Sequence, residues 1–411
     1  MAPTPASTVG KAFAVAVLVA LAWAVAPVAE AQPPIRIGAS LAQTGAYATP
    51  GPNVLRGYQL CVKHTNDKGG VLGRKLELIL YDDGSDPATA ARLYEQLITR
   101  DKVDLVLSPF GSRIADAVAD ATEKHKMPMV APVAAATSLY RKGRKFLFSM
   151  LSPGEFTLEG LLDLAAKKGL KTVALIHADD LGDRTVVQGA IELAKKKGLQ
   201  VVFADPYPPE TTDFAAILTR VRGVNPDLLA VVGTVLEVGV AITRQMKALN
   251  VNPRMVGMTP GVSSPRFYEV LGRDAEFVYF AATWLPELVE IRAGGLIPIA
   301  RQYPGAREFV GSSKQEFPGA DVSSNGYGAC QILVEAVRRA GSLDGVKVRE
   351  AISKLDHNTV FGRFRVDRDG VQIGHKHVVF QWQDGKKVLV WPEELAPVKA
   401  RFPTPPWSQR P

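Results

Sequence analysis

From residue 35 onward, short apolar, β-branched runs alternate with longer stretches in which apolar residues return every three or four positions. The first unit, 35–87, has an apolar strand ending at Leu41, a small-residue loop containing Gly45, a helix, a Gly69-Gly70 turn and a second strand closing on Asp82 and Asp83. The helix is expected to run for about 15 residues. In such a unit the ligand crevice lies at the carboxyl ends of the strands, which makes the loop 43–50 a candidate binding loop. The pattern next predicts a helix over 87–99 capped by Asp86, a strand over 103–107, a helix over 112–123 and a strand over 129–131. A second series places strands over 172–177, 200–204, 228–232 and 254–257 between helices over 185–196, 214–222 and 238–249. Later come a strand over 278–281, helices over 324–340 and 348–354, and strands near 378–382 and 388–391. The alternation implies parallel sheets covered by helices: an α/β chain of two doubly wound lobes written one after the other. Its Pro-rich end, Pro403-Thr404-Pro405-Pro406-Trp407, reads as an extended surface strap.

Residues 1–31 stand outside this alternation and read as an export signal. Lys11 supplies the positive end, 12–28 an apolar stretch rich in Ala, Val and Leu, and Ala29-Glu30-Ala31 a small-x-small cleavage site. The mature chain is expected to begin at Gln32 and to be exported, with no cysteine there to carry a lipid. No later run reaches the roughly 18 apolar residues of a membrane span. The 228–240 region is interrupted by Gly233 and Glu237. The formal charge of +8 is dispersed in runs such as Lys195-Lys196-Lys197 and Arg338-Arg339, which suit solvated helix ends. No aromatic-interleaved basic patch accompanies them, so nucleic acid is not the expected partner. The two cysteines, Cys61 and Cys330, are either small buried hydrophobes or, in an oxidising compartment, a disulfide.

Several chemical signatures can be set aside. The segment 69–75, GGVLGRK, lacks the spacing of a phosphate loop and precedes a strand, so it reads as a turn. His375 and His377 share a strand face without a cysteine or acid at ligand spacing, and no metal is expected. Asp82, Asp83 and Asp86 suit a strand end and a helix cap. No nucleophile elbow or paired acid and base is present, so neither an enzyme nor a cofactor is expected.

The order of "IRIG", "GGVLGRKLEL", "SPFGS", "MPMVAPVAAAT", "FLFSM", "ALIHADDLGD" and "NGYGACQILVEAVRRAG" resembles the periplasmic solute-binding proteins of ABC transporters, of the branched-chain amino-acid (Leu/Ile/Val) type. The likeness spans essentially the whole mature chain. It implies two α/β lobes joined by three crossovers, a ligand in the cleft between them and hinge closure on binding. By position, the first lobe would take 32–150 with 284–360, and the second 151–283 with 361–411. Cys61 and Cys330 then fall in one lobe, which leaves the disulfide open.

The same resemblance implies a carboxylate site made by a Ser hydroxyl and backbone N–H groups at a helix start, where this chain has Ser112. A helix N-terminus offers free donors and positive dipole to an anion, although a serine there can equally cap its own helix. Arg113 can add a charge-assisted bond or stand exposed in the first turn. The small-residue loop Val133-Ala134-Ala135-Ala136-Thr137 matches the next family element, with Ala135 where amino-acid binders place a hydroxyl; Ala134 and Thr137 complete it. In the second lobe, Leu181, Thr234 and Thr259 (or Pro260) stand where amino-acid binders carry two aromatics and the acid that meets the ligand ammonium. A buried ammonium without a counter-charge is costly, so these departures argue against an amino acid unless Glu237 or Asp179 substitutes. Tyr47, Phe110, Leu181 and Tyr327 are the candidate apolar walls, though single aromatics also serve as core. The expectation is a monomeric receptor that binds an aromatic or branched aliphatic carboxylic acid and delivers it to an ABC permease. A branched-chain amino-acid receptor, a receptor serving a membrane sensor, and a periplasmic enzyme on the same scaffold are the alternatives.

Overall fold

A computed structural model describes Met1 and residues 32–233, 235–289 and 303–410. The export signal at 2–31 lies outside the described residues, as does Thr234. From Pro34 onward the described chain forms one compact unit.

β1 (Ile35–Ser40) runs parallel to β2 (Leu76–Tyr81) on one side and to β3 (Leu105–Val106) on the other. Alternate β1 residues Ile35, Ile37 and Ala39 are fully buried. α1 (Pro50–Asp67) crosses from β1 to β2, and α2 (Pro87–Thr99) follows with Asp86 as its cap, the carboxylate accepting from Thr89 N at 2.7 Å. α3 (Ser112–Lys124) leads to a separate parallel pair, β4 (Met129–Ala131) and β5 (Leu147–Ser149). These strands and helices make the first lobe.

The second lobe begins with α4 (Glu159–Lys167) and is built on one seven-stranded sheet. Its parallel part comprises β6 (Thr172–Ala178), β7 (Gln200–Tyr207), β8 (Leu228–Val232), β9 (Met255–Met258) and β10 (Tyr279–Ala282). β8 lies inside the sheet and is buried at all five positions, as a strand covered on both faces must be. α5 (Leu181–Lys196), α6 (Ala215–Val224) and α7 (Leu236–Ala248) connect these strands, and α8 (Pro265–Leu271) lies between β9 and β10.

The chain then returns to the first lobe through α9 (Ala306–Glu316), α10 (Ser324–Ala340), α11 (Gly345–Lys354) and the hairpin of β11 (His357–Thr359) and β12 (Gly362–Phe364). α10 packs closely on α1: a Cβ on Gly326 would stand 2.7 Å from the Val54 carbonyl oxygen. A disulfide joins Cys61 of α1 to Cys330 of α10, with Cα atoms 6.2 Å apart.

At the C-terminal end, where no strand direction was expected, the sheet turns antiparallel. β13 (Val378–Gln383) lies antiparallel to β10, and β14 (Lys386–Trp391) antiparallel to β13. The two are joined by Asp384-Gly385, both at positive φ (50° and 72°), the conformation of a tight two-residue hairpin. Beyond it the Pro-rich strap runs along the second lobe. Thr404 N bonds Arg254 O, the Trp407 indole donates to Val251 O at 3.0 Å, and the Arg410 guanidinium sits 3.3 Å over the Trp407 ring. Among the described residues no helix is long and apolar enough to cross a membrane.

Candidate functional site

The carboxyl ends of β1 and β3 in the first lobe face those of β6 and β8 in the second, and the loops that leave them meet. Tyr47 closes a 3₁₀ turn (Gly45–Tyr47) after β1, held by its N–H to Ser85 Oγ at 3.0 Å. Its ring packs on Phe110, centroids 5.1 Å apart, and its hydroxyl donates to Asp180 Oδ2 of the other lobe at 2.7 Å. Burial first, and then Asp180, pushes the Tyr47 hydroxyl pKa well up, so it acts as a donor at any physiological pH. Arg113 Nε stands 3.8 Å from the same Asp180 oxygen, and its Nη2 donates to Ser85 O. A second bond between the lobes, 3.3 Å, runs from the Thr49 hydroxyl to Glu237.

Ser112 is buried and takes the first position of α3. The helix cap is Gly111, at φ 87°, a conformation a side chain would disfavour. This corrects the reading of Ser112 as its own helix cap. Its hydroxyl oxygen accepts from Ala136 N at 3.2 Å, tying α3 to the small-residue loop. The first helical bond runs from Ala115 N to Gly111 O, so the N–H groups before it point out of the helix start. Across the cleft, Gly182 comes so close that a Cβ there would stand 3.0 Å from Ser112 Oγ. Leu181 beside it packs against the first lobe's core, bridging the lobes with apolar surface.

The loop residues divide. Ala134 is buried and its carbonyl accepts from the Tyr140 hydroxyl at 2.9 Å. Half-buried Ala135 accepts from Gly154 N, and the Thr137 hydroxyl bonds Glu155, so the loop is tied to the segment that crosses into the second lobe. Thr259 is buried behind β8, its hydroxyl accepting from Gly233 N at 3.0 Å. Tyr327 is corrected as a cleft wall. Its hydroxyl lies 2.8 Å from His64 Nδ1 and its ring packs edge-on against Phe309, inside the α1–α9–α10 packing. Of the candidate ammonium partners, Asp179 pairs with Arg184 and Glu237 bonds Thr49. His375 and His377 are half-buried, their pKa values pushed down to about 4 and about 3 by desolvation, with His375 Nδ1 on Arg363 O.

Sequence reasoning missed two acids on the first turn of α5. Asp180 caps that helix, accepting from Gly182 N at 3.0 Å, while its other oxygen takes Tyr47. Asp183 lies against the end of β8, where a Cβ on Gly233 would stand 2.6 Å from both its Oδ2 and the Ala178 Cβ. Burial, reinforced by Asp180, raises its carboxyl to about 8. Acids in a first helical turn ordinarily complement the helix dipole from the surface, and nothing in the sequence marks this one as half-buried against a strand end.

A family profile described as "Periplasmic binding protein" matches residues 34–387. The chain belongs to the periplasmic binding protein family. Such proteins bind small solutes and work with a membrane permease, and their relatives are not enzymes. Leu/Ile/Val-binding protein BraC3 of Rhizobium johnstonii is 26% identical over 377 residues, covering 89% of this chain and 95% of that protein. The leucine-specific-binding protein of Salmonella typhimurium is 25% identical over 366 residues, covering 86% and 93%. Among solved structures, the leucine binding protein LivK of Thermotoga maritima superposes with TM-score 0.74 at 26% identity, covering 86% and 97%. A solute binding protein of an ABC transporter from R. palustris, in complex with benzoate, gives TM-score 0.74 at 18% identity, covering 91% and 97%. The fold is therefore the two-lobed type I periplasmic binding protein arrangement expected from the sequence.

Proposed function

We propose that this binding protein receives a small monocarboxylate with an apolar, aromatic or branched aliphatic body in the cleft between its lobes and delivers it to an ABC permease. The reading rests on Ser112, at a helix N-terminus in one lobe and in near contact with Gly182 of the other, where a carboxylate can take donors from both the hydroxyl and the helix start. Tyr47, Phe110 and Leu181 supply apolar surface beside it, and Arg113 adds positive charge. The benzoate-bound neighbour supports the reading to the extent that this fold can seat an aromatic acid without an amino group. A ligand that bridges the lobes favours their closed arrangement, and closure is the form a permease would recognise. The lobes are read as 32–150 with 284–360, and 151–283 with the C-terminal remainder. The bond from Ser149 N to Gly370 O supports moving the last crossover to just after 370. The working location is the periplasm, after cleavage before Gln32.

A branched-chain amino acid is the second reading, favoured by the named specificity of BraC3 and LivK and by the presence of Asp183 in the second lobe. Thermal shift with benzoate, 4-methylpentanoate, leucine, isoleucine and valine separates the two. At about 100 times its dissociation constant a ligand stabilises the fold by about 2.7 kcal/mol. The acids without an amino group are expected to shift the wild type, and Ser112→Ala to weaken them. If leucine shifts the melting point and those acids do not, the first reading is wrong.

A further inference from the structure

Among the described residues, Asp183 is an acid at the cleft side of the second lobe that the closure contacts leave unused. It is sunk against Gly233 and Ala178 at the sheet end, with Tyr47 of the first lobe near it. The titratable groups that interact with it are Asp180 on the same helix, Tyr207 from β7 and Tyr47, which has Arg113 behind it; the adjoining end of β6 carries His177 and the start of α7 carries Glu237. Each is otherwise engaged. Asp180 takes Tyr47 and Arg113, the Tyr207 hydroxyl donates to Val232 O, His177 Nδ1 lies 2.8 Å from Ala178 O, and Glu237 bonds Thr49. Among the described residues no cation pairs with Asp183, and its nearest charged neighbour, Asp180, repels an ionised carboxylate. A carboxyl group so placed holds its proton until something else neutralises it.

We propose that Asp183, placed at the β8 end beside Tyr47 with no cation among the described residues paired to it, meets the body of the bound solute and thereby sets the receptor's preference for carboxylic acids that carry no ammonium. The inference rests on the reading of the cleft as a carboxylate receptor. An acid with an apolar body leaves Asp183 in its resting protonation state. Once the carboxyl loses its proton to solvent at higher pH, the bound carboxylate faces a second negative charge. An amino acid at neutral pH instead requires Asp183 to release its proton before the ammonium can pair with it. The same residue therefore opposes leucine at neutral pH and benzoate at alkaline pH.

The test is calorimetric titration of the full mature protein with benzoate, 4-methylpentanoate and leucine between about pH 6.5 and pH 9. A group titrating near 8 is mostly protonated one unit below that value and mostly ionised one unit above. Affinity for the two acids should thus fall about tenfold between pH 7 and pH 9. Leucine should be weaker than either at pH 7 and gain as pH rises. In Asp183→Asn, and in Asp183→Ser should the first fail to fold, the pH dependence should vanish for both acids. His177→Gln should keep the wild-type profile. A flat wild-type profile for the acids overturns the inference while leaving the carboxylate receptor standing. Tight leucine binding at pH 7 that Asp183→Asn abolishes overturns it too, by making Asp183 an ammonium counter-charge. If no acid binds at any pH and Ser112→Ala alters nothing, the receptor reading falls and takes this inference with it.

Discussion

Closure of the cleft hangs on a small number of polar contacts, and Tyr47→Phe removes the shortest of them. The Tyr47 hydroxyl lies 2.7 Å from Asp180 Oδ2, and the Asp180 side chain is only 12% exposed. A hydrogen bond to a charged acceptor contributes about 1.5–3 kcal/mol. Asp180 keeps Arg113 at 3.8 Å after the substitution, but that arginine is 49% exposed, and such a pair is worth at most about 1 kcal/mol. Because that pair is present before and after, the loss to the closed arrangement is that of the hydrogen bond itself, about 1.5–3 kcal/mol, with about 1.4 kcal/mol corresponding to tenfold. The phenyl ring keeps its packing on Phe110, so the wall of the cleft stays in place. Where the ligand binds only the closed form, its apparent dissociation constant rises by the factor that the closed population loses. Calorimetry with 4-methylpentanoate should accordingly show weakening of about 10–150-fold. Small-angle scattering of the protein without added ligand should show a larger radius of gyration. A double-mutant cycle with Asp180→Ala should return a coupling of the same size. An unchanged affinity together with unchanged scattering would refute the view that Tyr47 and Asp180 latch the lobes.

Other outcomes follow from the same contacts. The folded-state value of Asp183, about 8, lies above the ordinary 3.8 of an unfolded chain, so the folded protein keeps a proton that the unfolded chain sheds and stability is lost as pH rises between those values. Asp183→Asn should therefore raise the melting temperature at pH 7.5 and have little effect near pH 4; equal shifts at both would contradict the sign. Gly182→Val places bulk against Ser112 Oγ, so it should hold the cleft apart and abolish binding of benzoate while leaving the far-UV spectrum unchanged. Closing a loop of 269 residues, the Cys61–Cys330 bond is worth at most about 5–6 kcal/mol in the chain-entropy treatment. A reductant should lower the melting temperature markedly, and denatured, unreduced protein should titrate no thiol; melting indifferent to reductant would count against the bond.

Much of the fold is written in the hydrophobic periodicity. Helices over 87–99 and 324–340 and the strand over 129–131 fall where the pattern puts them, because each has a cap or a clear apolar run. α5 begins at Leu181, four residues before the apolar stripe, because Asp180 supplies its cap. α9 was not anticipated: it buries only Ala306 and Phe309 and contains Gly311, Ser312 and Ser313, too little apolar surface for a periodic signal. The two strands of the β13–β14 pair are legible near 378–382 and 388–391 without a direction, which the Asp384-Gly385 turn between them supplies. In the site, Ser112 was visible because a helix start has a sequence signature, although Gly111 takes the capping place. Tyr327 was misjudged because a position on a helix beside a cleft can face inward or outward, and His64 with Phe309 fixes it inward. Asp183 escaped notice because its half-buried setting depends on Gly233 and Tyr207, which come from segments distant in sequence.

The bond between Cys61 and Cys330 also bears on the order in which the protein can be made. A chain that crosses a membrane from its N-terminus presents α1 long before α10, and the whole second-lobe sheet core through β10 emerges between them. Until Cys330 arrives, Cys61 is a lone thiol in an oxidising compartment, on a helix whose close-packed partner is missing. The lobe that starts first is thus sealed last, and its early half must wait, vulnerable to wrong partners, while its neighbour has the sequence it needs to fold. On the proposed export to the periplasm, oxidative folding catalysts would act on this protein late, at the step that joins the two halves of the first lobe.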